Sequence, residues 1–124
     1  MTRIVLTLLL ASASIMGFMV RLPRVFRYVD KELHFLFYFF AAALLTFLFA
    51  RHSIIRHALI FISLSLFGIC IEFAQEYSNT FFHRKIHGRF DVHDLYYNLC
   101  GLLAFSLLWL TFTFFRWAYR NVTH

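Results

Sequence analysis

The residues of this chain that can carry acid–base or phosphate chemistry fall into three short segments of a sequence that is 61% hydrophobic. An imidazole beside a carboxylate, as His34 and Glu72 would be if they meet, can move a proton to or from a bound ester, phosphoester or amide. Lys31 and Arg89 carry the cationic groups that bind phosphate oxygens. The complete set of polar candidates for one binding site is Asp30, Lys31, His34, Glu72, Gln75, Arg89, Asp91, Asp94 and Asn98.

The spacing within each segment points these side chains in one direction if the segment is helical. Residues three and four apart lie on the same helix face. Such steps connect Lys31, His34, Tyr38 and Ala41; then Ser65, Gly68, Glu72, Gln75 and Asn79; and then Asp91, Asp94, Asn98 and Gly101. Small and polar residues let membrane helices approach closely and hydrogen-bond to one another. We therefore predict that three seams face one another inside a bundle.

The helices that would position these seams come from four apolar stretches, Ile4–Val20, Leu33–Ala50, Ala58–Ile71 and Leu95–Phe115. A hydrocarbon core of ~30 Å needs about 20 helical residues. A mean hydropathy of +0.70 with 15% charged residues excludes an ordinary soluble domain. We predict an all-α fold, a four-transmembrane-helix bundle that runs up-down-up-down. It forms a single domain of residues 1–124, with helices at about 4–21, 31–50, 55–76 and 93–117.

Alternation of the helices would bring the polar segments to one mouth of the bundle. The second and fourth helices begin there, and helix N-termini present N–H groups and a positive dipole end to an anion. We therefore predict that the mouth binds an anionic lipid head group, such as that of a phospholipid or a polyprenyl phosphate. Lys31 and Arg89 would hold the phosphate. The residues that would orient or hydrogen-bond these cations are Asp30, Glu72, Gln75, Asp94 and Asn98.

Other roles stay open for the same residues. Asp30 and Asp91 can cap helix N-termini, and Arg89 can neutralise a buried carboxylate. His34 and Glu72 can be the acid and base of a membrane-embedded enzyme, and a polar cluster can also lock the helices of a subunit without catalysis. No HExxH-type spacing supports a metal site, so we predict neither a metal nor a cofactor. The set that a metal site would need is His34, Glu72, His87 and Asp91.

Basic residues flank the apolar stretches, where they contact lipid head groups. The formal charge of +6 therefore favours anionic membrane lipids as partners over nucleic acid. Seven basic residues belong to the end with the polar mouth and five to the other end, a count that would place the mouth in the cytoplasm. Once Lys31 and Arg89 are assigned to the site, five remain at each end. A mouth that acts on cell-envelope lipids would face outward, so we expect the termini in the cytoplasm. The aromatic residues expected to anchor the last helix at the interface are Trp109, Trp117 and Tyr119.

Two motifs taken together resemble those of VanZ-like membrane proteins. The first is Asp30-Lys31 followed by His34-Phe35 and Tyr38-Phe39. The second comprises Glu72, Gln75, Gly88-Arg89, Asp91, Asp94, Asn98 and Gly101. The motifs follow the order and helix placement of that family, and the chain is similar to its short members, which have little beyond four helices.

The resemblance implies a multi-pass protein of a prokaryotic cell membrane. The family's namesake confers resistance to the glycopeptide antibiotic teicoplanin, so a link to antibiotic resistance is an expectation for this chain. The resemblance specifies no reaction. It leaves three functions to compare: binding of a lipid or cell-envelope precursor, acid–base catalysis on a lipid-linked substrate, and a purely structural role.

Overall fold

The computed structural model describes residues 1–19, 30–82 and 92–123, and these residues are almost entirely helical. The elements are α1 (Thr2–Met19), α2 (Asp30–Leu45), a π-helical turn that continues α2 (Thr46–Ala50), α3 (Ile54–Phe82) and α4 (Val92–Thr123). The prediction of an all-α fold is confirmed for this part of the chain.

Two helices extend beyond the predicted limits. We expected α3 to end near Glu76 and α4 near Trp117, but they continue to Phe82 and Thr123. Hydropathy marks only the part of a helix that lies in hydrocarbon, whereas backbone hydrogen bonds carry the helix on into the polar zone. Ser78 does not interrupt α3, because its hydroxyl donates to the carbonyl oxygen of Gln75 at 2.8 Å, within the helix.

The distribution of side chains is the reverse of that in a soluble protein. Large apolar residues face outward, with Phe40, Phe47 and Leu107 exposed by 63%, 76% and 65%. Polar residues such as His34 and Glu72 are buried. The helical stretches long and apolar enough to cross a membrane are Lys31–Ala50, Ile54–Phe81 and Val92–Thr123, and Thr2–Met16 is a shorter apolar helix. This is the pattern of a membrane protein.

The most extensive helix–helix interface joins α2 and α4, and Gly101 explains how close they come. A Cβ atom at Gly101 would overlap the backbone carbonyl oxygen of Phe35, so the two backbones touch. Phe39 and Phe105 then pack edge to face, with ring centroids 5.7 Å apart. The predicted role of a small residue in this seam is confirmed.

The turn between α2 and α3 is fixed by residues from three elements. His57 hydrogen-bonds with Thr46 at 3.1 Å and with Ser106 at 2.9 Å, and its ring stacks on Trp109 with centroids 4.3 Å apart. The Trp109 indole N–H donates to the Arg51 carbonyl oxygen at 2.8 Å. Trp109 is 7% exposed, so the prediction that it is an interface anchor is wrong. Helix packing uses both its ring and its N–H.

Candidate functional site

Side chains from three helices meet at the end of the bundle where α2 and α4 begin. Each comes from a seam that the three-and-four spacing predicted. We call this group the polar cluster, and its members are Lys31, His34, Glu72, Asp94 and Asn98. His34 and Asn98 are each 4% exposed, and Glu72 is 2% exposed. The side chains of Lys31 and Asp94 are 38% and 13% exposed, so this pair forms the rim.

His34 is oriented by Asn98. The His34 Nδ1–H donates to Asn98 Oδ1 at 2.8 Å, because a carboxamide oxygen can only accept. In the neutral imidazole this leaves Nε2 as the basic nitrogen. Nε2 faces Asp94 Oδ2 at 3.9 Å. The ring is therefore held by one nitrogen while the other points at a carboxylate, which is the arrangement of an oriented base or a metal ligand.

Lys31 and Asp94 form an ion pair at the rim. Lys31 Nζ donates to Asp94 Oδ1 at 3.1 Å and lies 5.8 Å from the centroid of the Tyr97 ring. The lysine remains partly open to solvent or a head group, since more than a third of its side chain is exposed. Asp94 thus contacts a cation through one oxygen and faces His34 through the other.

Glu72 completes the buried part of the cluster from α3. A ring nitrogen of His34 and carboxylate oxygens of Glu72 and Asp94 all lie within 4.8 Å of one another. Buried carboxylates are tolerated only where hydrogen bonds, a proton or a cation compensate the charge. The cluster therefore gathers two acids around one oriented imidazole inside the bundle, where a buried charge needs compensation.

The same three residues have the donor types of a divalent-cation site. Ligand distances of about 2.1 Å place donor atoms up to about 4.2 Å apart around an ion, so small side-chain rotations would close the observed spread. Lys31 disfavours the binding of a cation at this site, because it already partly neutralises Asp94. Sequence reasoning named His34 and Glu72 in its metal set but grouped them with His87 and Asp91, because the trio comes from three helices and shares no ligand spacing.

Tyr38 is a further residue that the predicted site omitted. It is fully buried, one turn after His34 on α2. A Cβ atom at Gly68 would lie 3.0 Å from the Tyr38 hydroxyl and 2.9 Å from Asn98 Nδ2. Both polar groups therefore occupy the space that Gly68 leaves. The sequence could have identified Tyr38 as a site residue, because it shares the three-and-four spacing of Lys31 and His34.

The remaining predicted site residues are not among the members of the polar cluster. Gln75 is half-buried on α3, about one turn beyond Glu72. Asp30 is the first residue of α2, but its side chain, like the whole of Arg89 and Asp91, lies outside the described residues. Their roles as phosphate ligand, capping group or ion-pair partner therefore stay predictions.

Comparisons with protein families, curated proteins and solved structures found no relative of this chain. No family model matches the chain, and neither a curated protein nor a solved structure matches it. The resemblance to VanZ-like proteins stays a prediction made from the motifs.

Proposed function

We propose that this chain is a multi-pass membrane protein whose polar cluster binds the head group of an anionic lipid or a lipid-linked cell-envelope precursor. Lys31 would contact the phosphate at the rim, with Arg89 as its expected second cation. Asp94 would hold Lys31 in place, and the buried imidazole of His34 would accept or donate a hydrogen bond below the phosphate. The chemistry required is recognition, so no bond to the ligand has to be broken.

The observation that carries this proposal is that a partly exposed ion pair lies over buried polar residues. Lys31 is partly exposed and is tethered to Asp94 at 3.1 Å, while His34 and Glu72 are buried beneath them. A head group that enters between α2 and α4 would therefore meet an ammonium group first and oriented hydrogen-bonding groups next. Lipid tails could remain against the exposed apolar faces of the helices.

A second candidate function is acid–base catalysis on a lipid-linked substrate, favoured by the geometry of His34. Asn98 fixes its Nδ1–H, so Nε2 is the nitrogen that could take a proton from water or a hydroxyl group. Glu72 would serve as the second proton-transfer group, because it lies in the same donor cluster. This function needs a polar leaving group on the lipid, which simple binding does not.

Variants at Glu72 and Lys31 separate the two functions. The purified protein in detergent would be incubated with a polyprenyl phosphate, and bound and hydrolysed lipid would be measured by native mass spectrometry and by phosphate release. For a binding protein, Lys31→Met should reduce retention at least about tenfold, because a hydrogen bond to a charged group contributes about 1.5–3 kcal/mol. For an enzyme, Glu72→Gln should abolish phosphate release while lipid retention persists.

Two outcomes would contradict the binding proposal. One is equal retention of the polyprenyl phosphate and of phosphatidylcholine by the unmodified protein. The other is unchanged retention by Lys31→Met together with loss of retention by Arg56→Gln, a charge-matched control at the opposite end of α3.

The finer topology and the cellular role belong to the same proposal. We infer that α1 is a fourth span and that the helices alternate, with the termini in the cytoplasm of a prokaryotic cell. Arg3 of α1, Arg51 after α2 and Arg116 of α4 line one cavity, which supports this alternation. If the VanZ-like resemblance holds, cells that produce the protein should tolerate more teicoplanin, and Lys31→Met should remove that tolerance.

A further inference from the structure

A second site lies at the other end of the bundle, far from the polar cluster. A cavity of about 600 Å³ opens there, and three arginines line it together with a histidine. They belong to Arg3 of α1, Arg51 and His52 of the turn after α2, and Arg116 of α4. We call this the arginine cavity. These three separate parts of the chain converge on it, so it is a feature of the fold and not of one helix end.

The walls of the arginine cavity are apolar and aromatic. Phe105 and Trp109 line its inner side, and Phe47 and Phe112 line its outer side, where they are 76% and 61% exposed. In a membrane protein such outward aromatic rings contact acyl chains. The cavity thus combines a cationic part with an apolar part that continues into the lipid-facing surface, which is the complement of an amphiphile with a negative head.

The charges of the arginine cavity lack acidic side chains to balance them. All acidic residues of the sequence belong to the segments of the opposite end: Asp30, Glu32, Glu72, Glu76, Asp91 and Asp94. No carboxylate side chain occurs in residues 1–29, 33–71 or 95–124. Arginine binds phosphate oxygens through bidentate hydrogen bonds, and three arginines line this one cavity. The cavity is therefore suited to an anion that the chain does not itself supply.

The backbone at Arg51 places an arginine where glycine would fit better. Arg51 has a φ of 48°, a positive value that residues with a Cβ atom rarely adopt. The turn is held in this conformation by the Trp109 indole, which donates to the Arg51 carbonyl oxygen. Strain of this kind is typical of positions where the side chain has a function.

The distance between the two sites assigns them to opposite membrane surfaces. Along α4, the stretch from Asp94 to Arg116 is roughly 33 Å long at about 1.5 Å of rise per residue. This is close to the hydrocarbon thickness of about 30 Å. We propose that the arginine cavity binds the phosphate of an anionic membrane lipid in the leaflet opposite the polar cluster. Arg3, Arg51 and Arg116 hold the phosphate, and an acyl chain lies along Phe47 and Phe112.

The test uses phosphatidylglycerol as the probe and compares two double variants that remove the same charge from the same end. Arg51→Gly with Arg116→Gln removes two guanidinium groups that line the cavity, and glycine suits the positive φ. Arg56→Gln with Arg120→Gln removes two that do not line it, although the charge of Arg120 acts on the cavity residue His52. Phosphatidylglycerol bound to the purified protein is counted by native mass spectrometry. We expect the cavity variant to bind at least about tenfold more weakly and the control to change less than about threefold.

Three results would overturn the proposal. Equal losses in both variants would mean that the lipid is attracted only by the general charge of this surface. Equal binding of phosphatidylcholine would mean that the anionic head group is not recognised. Displacement by millimolar inorganic phosphate as effective as that by added phosphatidylglycerol would mean that the cavity binds free anions.

A matched lipid-facing variant and a second charge variant keep the result interpretable. Phe112→Ser should weaken phosphatidylglycerol binding, whereas Phe114→Ser, also exposed on α4 but outside the cavity, should not. If the Arg51 variant does not fold, Arg3→Gln with Arg116→Gln decides the question. In a Lys31→Met background the cavity variant should still lose phosphatidylglycerol relative to its control, so failure of the two proposed sites can be told apart.

Discussion

His34 and Asn98 lie 64 positions apart in the chain and are joined by a hydrogen bond of 2.8 Å between the imidazole and the carboxamide oxygen. Both side chains are almost completely buried, so water cannot replace the bond if it breaks. The bond connects α2 to α4 about one turn before Gly101, where the two backbones touch. It therefore serves two purposes: it joins the helices and it sets which nitrogen of His34 is basic.

Removal of the Asn98 carboxamide should destabilise the protein. In Asn98→Ala the His34 N–H remains buried without its acceptor, and such a loss costs about 1–3 kcal/mol. Thermal unfolding in detergent, followed by circular dichroism, should show a clearly lower midpoint. Asn121→Ala is the matched control, because Asn121 is exposed near the end of the same helix. Equal midpoints for the two variants would contradict a structural role for this bond.

Gly68 and Gly101, both buried, should differ in their tolerance of alanine. A Cβ atom at Gly101 meets the backbone of Phe35, which cannot move unless α2 shifts, whereas one at Gly68 meets side-chain atoms of Asn98 and Tyr38. Overpacking typically costs about 1–3 kcal/mol, and it costs most where neighbours cannot relax. We expect Gly101→Ala to lower the yield of folded, monodisperse protein more than Gly68→Ala does. The reverse order in size-exclusion profiles would show that the closest helix contact is elsewhere.

The ion pair at the rim should contribute little to stability and much to ligand binding. Lys31 and Asp94 are partly exposed, and exposed pairs contribute about 0.2–1 kcal/mol. A double-mutant cycle with Lys31→Met and Asp94→Asn should therefore give a coupling free energy of unfolding below about 1 kcal/mol. Each single variant should nevertheless lose retention of the polyprenyl phosphate. A large stability coupling with unchanged retention would favour the purely structural role.

The sequence predicted which residues share a helix face. It did not predict how the helices are rotated against one another or where α3 and α4 end. Steps of three and four placed Lys31, His34 and Tyr38 on one side of α2, and this side is the buried one. The same spacing identified Glu72, Asp94 and Asn98. Periodicity carries this information because burial repeats with the helical turn.

What the sequence could not give depends on contacts between distant segments. The clustering of Glu72 with His34 and Asp94 depends on how far α3 is rotated toward α2 and α4, which no spacing within α3 records. The burial of Trp109 depends on a carbonyl group in a turn about 58 residues earlier. The arginine cavity combines residues near the start, middle and end of the chain, so its charges looked like ordinary flanking residues.

Side-specific labelling should test the alternation of the spans. In a variant without native cysteines, single cysteines at Glu32 and Val92 lie at the end of the polar cluster, and one at His52 lies at the end of the arginine cavity. An impermeant maleimide added to intact bacterial cells should label the first two and spare the third, because α2 separates Glu32 from His52 and α3 separates His52 from Val92. Labelling of Glu32 and His52 from the same side would mean that α2 does not cross the membrane.

His52 should report directly on the charge of the arginine cavity. It lies outside the spanning helices, and its pKa is lowered from the ordinary value of 6.5 by partial desolvation and then by the guanidinium charges of Arg116, Arg120 and Arg51. Its folded-state pKa is depressed, so the stability associated with neutral His52 is present above the ordinary value and is lost as the pH falls through the lowered one.

Changes in the charge around His52 should therefore move its titration in a predictable direction. Arg116→Gln removes one of the positive charges and should raise the pKa of His52, while Arg56→Gln, which is not among its charged neighbours, should leave it unchanged. Bound phosphatidylglycerol should also raise it, so lipid affinity should increase as the pH falls through this range. The measurement is a proton–carbon NMR titration of the imidazole resonances, assigned by comparison with His52→Gln. Identical titrations with and without lipid would show that no phosphate binds beside these arginines.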